Sequence, residues 1–88
     1  MAKAVDIETA LAGLPVLRGR RPETPPEEVG QAFASLAAMG EGGVFAGSFA
    51  GESAWERHTR GDELVHVLKG KTRLTVLTDD GPEVLEMT

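Results

Sequence analysis

Cysteine is missing from this 88-residue chain. Neither a disulfide nor a thiolate metal site can brace it, and thiol redox chemistry is excluded. That absence fits a reducing compartment, and the reading is a soluble, cytoplasmic protein. Basic charge is also scarce: nine Lys and Arg face fourteen Asp and Glu, a formal net charge of −5. Such a balance repels phosphate backbones and anionic headgroups, so neither nucleic acid nor a membrane surface is expected as a partner. No apolar run approaches the roughly 18 residues of a membrane-spanning helix. The opening MAKAVDIETALAGL lacks the basic region, apolar core and small-residue cleavage site of a leader. Internal repeats and low-complexity tracts are absent. At 9.3 kDa the chain is one domain at most, with a core only marginally sufficient when alone, so a neighbour is expected to help.

What is there begins with a weak helical stripe. Residues 5 to 14 carry Val5, Ala10, Leu11 and Leu14 with acids at Asp6 and Glu8, and Gly13 and Pro15 end it. LRGRRPETPPEE has no periodicity and reads as an extended arm. Its Arg18, Arg20 and Arg21 are the only basic cluster, suited to a solvated or salt-bridged arm or to contact with an anionic ligand. Thr24 and Glu27, with Pro25 and Pro26 between them, have the spacing of a capping box. Val29, Ala32, Phe33, Leu36 and Ala37 then share one helical face, so a helix is expected over about residues 26 to 38, ended by the GEGG of 40 to 43.

From Val44 the period changes to two. VFAGSFA, ESAWERH, ELVHVLKG, TRLTVLT and EVLEMT read as five short strands, with the clearest hairpin turn at DDGP, residues 79 to 82. Short strands joined by tight turns predict an all-β sandwich or barrel. Residues 1–43 are expected to supply an N-terminal arm and short helix packing on it, and residues 44–88 its strands.

Both histidines fall in WERHTRGDELVHVLKG, residues 55 to 70. On a strand, side chains two apart share a face, so Glu56 and His58 point one way while Trp55 and Arg57 point the other. Trp55 is read as a packing residue. TRGD can turn the chain back so that Glu63 lies beside His58, and an imidazole nitrogen with one or two carboxylates is a ligand set for Zn, Mn, Fe or Ni. His66 lies on the face opposite Glu63, with Leu64 and Leu68, and is read as a surface or interface histidine. By periodicity alone, one histidine and two glutamates in a hairpin are more often the polar residues of a surface than a metal site.

His58, four residues, Glu63, six residues and Gly70 resemble the first motif of the cupin family. The resemblance implies a double-stranded β-helix, or jelly-roll, barrel. It also implies His58 and Glu63 as metal ligands, Gly61 and Asp62 as the tight turn, and Gly70 as a structural glycine. Two departures stand beside it. Glu56 occupies the place of the family's first histidine, which changes the charge and softness of the site. The family's second motif, which supplies a later histidine, has no counterpart before Thr88, so the resemblance covers residues 44–88 and implies an incomplete barrel. Its apolar inner face of Val65, Val67, Leu74 and Val76 and its open edge would need covering. A second copy, by strand exchange or inner-face packing, is the expected cover, with the helix near residues 26 to 38 as an alternative.

Three functional expectations follow. The first is a cupin-domain protein that binds a divalent metal through His58, Glu63 and Glu56 and binds or acts on a small molecule. The second is a non-catalytic cupin-fold ligand-binding or dimerisation module without metal. The third is a structural role, with Glu56 and Glu63 bonded to Arg57, Arg60 or Arg73 and His58 capping a turn.

Overall fold

The structure, a computed structural model, describes residues 3–88. It is rich in strands, with two short helices and no closed barrel among the described residues. Three separate two-stranded sheets stand where a continuous barrel wall was expected. The chain divides into two compact units, Met1–Glu56 and Arg57–Thr88.

In the first unit, α1 spans Ile7–Ala12. Asp6 caps it by accepting a hydrogen bond from the Thr9 backbone N–H at 3.2 Å, which satisfies one of the first-turn donors that have no helical partner. Gly13 ends it, as its sequence position predicts. Strand β1, Leu17–Arg20, follows, and then α2, Pro26–Gln31. The capping box does not form: Pro25 is the N-cap and the Thr24 hydroxyl instead accepts from the Arg21 backbone N–H at 2.8 Å.

The helix expected to run to residue 38 stops at Gln31. Phe33–Met39 is strand β2, paired antiparallel with β3, Gly42–Gly47. Gly30 weakens the helix just before this point. GEGG, read as a helix stop, makes the hairpin: Met39 pairs with Gly42 around Gly40 and Glu41, and Gly40 has the positive φ (59°) such two-residue turns require. The ladder therefore outweighs the helical spacing of an alanine-rich segment whose apolar residues fit either period.

VFAGSFA breaks at Ser48 into the end of β3 and a short β4, Phe49–Gly51. Strand β4 pairs in parallel with β1, Leu17 against Phe49 and Arg20 against Gly51. The arm expected to be solvated is thus tied into a sheet. Arg20 lies 4.4 Å from the Phe49 ring centroid and 5.9 Å from that of Phe33, and the two rings are 6.0 Å apart. Ala32 and Leu36 are the buried apolar residues among those described, and α1 and α2 both pack against β2.

In the second unit, β5, Thr72–Thr78, and β6, Gly81–Met87, form an antiparallel hairpin through Asp79 and Asp80. The DDGP turn forms where the sequence places it. Its corner is held by the Thr78 hydroxyl, which donates to the Gly81 carbonyl at 2.7 Å and accepts from the Asp80 N–H at 3.2 Å. ESAWERH and ELVHVLKG do not become strands; residues 52–71 have no ladder partner. No helix of the described residues is long and apolar enough to cross a membrane.

Candidate metal centre

Bends at Thr59, Arg60 and Gly61 reverse the chain between His58 and Glu63. Threonine, arginine and glycine offer no apolar pattern to hold the segment straight, and Gly61 has no neighbour within 4 Å of the place a Cβ would occupy. The structure brings His58 and Glu63 together: the His58 Nε2 meets the Glu63 Oε2 in direct contact. Glu56, two residues before His58, brings a carboxylate oxygen to the same place. One ligand atom from each of Glu56, His58 and Glu63 lies within 4.8 Å of the others.

This meeting does not come from a strand ladder, as the sequence pattern suggests. It accompanies the bend at residues 59–61. The side chains are consequently open to water, with His58 53% and Glu63 47% exposed. His66 is exposed and outside the cluster. Trp55, expected to pack, is 70% exposed.

The donor set is one imidazole nitrogen and two carboxylate oxygens, a combination that borderline and hard divalent cations accept. Coordination would replace the direct His58–Glu63 bond, because a metal takes the imidazole nitrogen without its proton. The residues present therefore fit a divalent cation by chemistry and proximity. Exposed acidic groups nevertheless gather often without any ion.

Arg73, one of the partners considered for the glutamates, is engaged elsewhere. It donates through Nε and Nη2 to Glu86 Oε1, at 3.3 and 3.0 Å, from the position directly opposite on β6. Two surface grooves lie away from the cluster. One, of about 400 Å³, lies along α1 and β2 beside Val5, Thr9 and Leu36, and the other, of about 320 Å³, lies at the open end of the β5–β6 hairpin.

Sequence reasoning did not single out the Arg20, Phe33 and Phe49 group. Its signal was faint: an arginine in an aperiodic arm and two phenylalanines sixteen residues apart, joined only by the parallel pairing of β1 with β4. Compared with family models, with curated proteins and with solved structures, the chain matches none.

Proposed function

We propose that residues 56–63 bind a divalent metal ion, in a cupin-like protein that binds or acts on a small molecule. The observation that carries this reading is the convergence of Glu56, His58 and Glu63 ligand atoms within 4.8 Å. The spacing of His58, Glu63 and Gly70, which resembles the first cupin motif, and the strand-rich architecture support it.

Glu56, His58 and Glu63 would hold the ion, which would supply Lewis acidity towards an oxygen of a bound small molecule. Within this chain, His58 presents the nitrogen donor, and Glu56 and Glu63 supply the opposing negative charge. Three protein ligands leave coordination positions for water or for that molecule.

Titration calorimetry with Mn, Fe(II), Ni and Zn tests the reading. Binding near one equivalent that is lost in His58→Ala is expected; no heat with any of the four, and no ion retained after gel filtration, overturns it.

The exposure of His58 and Glu63 favours a second reading, a module without metal whose barrel-like strands bind a small ligand or another chain. Thermal unfolding against a panel of small carboxylates and sugars separates it, because a ligand that binds the folded state raises the midpoint.

A further inference from the structure

No residue of 57–88 is buried. Leu64 is 93%, Leu77 66% and Val84 54% exposed, and a hairpin of two strands is marginal in water unless something extends or covers it. Strand β5 is paired only with β6, which leaves its outer edge an open row of backbone donors and acceptors.

The sequence of that edge complements itself. With its flanking residues it runs from Lys71, just before β5, through Thr75 to Asp79, the first turn residue after it, basic at one end and acidic at the other. We propose that two copies of the chain pair antiparallel along β5 about a two-fold axis at Thr75, giving a four-stranded sheet ordered β6–β5–β5–β6. In this register Lys71 faces Asp79 of the second copy, and symmetry makes the pair twice. Leu74 faces Val76 of the second copy, and Thr72 faces Thr78.

Parity selects this register over its neighbours. Leu74 and Val76 share a face with Leu85 across the hairpin. With the axis at Thr75, the Leu74, Val76 and Leu85 of both copies lie on one face of the joined sheet. A slip of one residue would put the apolar face of one copy level with the Arg73 and Glu86 face of the other. Pairing along β6 instead would bring Glu83 and Glu86 of both copies to a single seam, where like charges repel. This proposal does not depend on the metal reading.

Sedimentation equilibrium of the full chain, followed by charge reversal, tests it. The expected mass is twice 9.3 kDa. Lys71→Asp and Asp79→Lys should each weaken association roughly tenfold or more, and the double variant should restore it. A monomer at every concentration, or a double variant no better than the single ones, overturns the proposal. Since the chain has no cysteine, Thr75→Cys is a clean reporter and should oxidise to a covalent dimer across the axis. Val84→Cys, opposite Thr75 on β6 and so away from the seam, should not. Equal cross-linking of the two, or none from Thr75→Cys, also overturns it.

Discussion

Arg20 stacks its guanidinium 4.4 Å from the centre of the Phe49 ring, and its Nε is buried without a hydrogen-bond partner. These two features oppose each other. Stacking a cation on an aromatic face contributes roughly 0.5–2 kcal/mol, while a desolvated donor with no acceptor costs about 1–3 kcal/mol. Arg20→Met keeps the apolar stem and removes the orphaned donor, so its stability in urea should lie within about 1 kcal/mol of the parent chain, these terms largely cancelling. Arg20→Ala removes the stem as well and should lose more. Equal losses in the two variants would show that stem packing contributes nothing.

Gly51 has a φ of 122°, and a Cβ there would overlap the backbone of Arg20, its partner in the parallel ladder. Gly51→Ala should therefore destabilise by about 2–4 kcal/mol, since backbone cannot yield as a side chain can. Gly13, with a φ of −87° and open space around it, is the control. Gly13→Ala should change stability by less than about 1 kcal/mol. Paired urea titrations compare them directly.

At residues 56–63, metal uptake should depend on both carboxylates as well as on the imidazole, and titration calorimetry of single variants measures each share. Glu63→Gln should lose most of the affinity and Glu56→Gln part of it, through lost charge. His66→Ala should bind as the parent does, being outside the cluster. A His58→Ala variant that binds as tightly as the parent would show that His58 is not a ligand.

Arg73 and Glu86 face each other on the hairpin with side chains 70% and 69% exposed. In water that pair contributes little, about 0.2–1 kcal/mol, and salt screens it. Arg73→Ala should lower stability by no more than that amount, with the difference shrinking as NaCl rises. A double variant with Glu86→Ala would isolate the coupling between them.

Much of the local structure is legible without coordinates. Asp6 and Gly13 bracket α1 because a carboxylate cap and a residue permitting chain reversal act within one helical turn. The Asp79–Asp80 turn is likewise local, being closed by Thr78 and Gly81 at its ends. The segment Ala32 to Met39 is the contrary case. Its apolar residues satisfy a period of 3.6 as well as a strand with a bulge, and a chain of alanines does not separate the two. Residues 52–58 and 63–68 alternate as strands do, yet none of them lies in a strand.

By itself, then, the sequence determined what acts within a few residues: the end of α1 at Gly13, the Asp79–Asp80 turn, the acidic charge balance, the absence of thiol chemistry, and the chain reversal that sets Glu63 beside His58. Only the tertiary structure decided which strands find partners: β2 with β3 in place of a longer helix, β4 in parallel with β1, Arg20 against Phe49, and β5 with one edge unfilled. The physical reason is range. A turn or cap is fixed by neighbours on the chain, whereas a ladder hydrogen bond requires a distant segment to arrive in register.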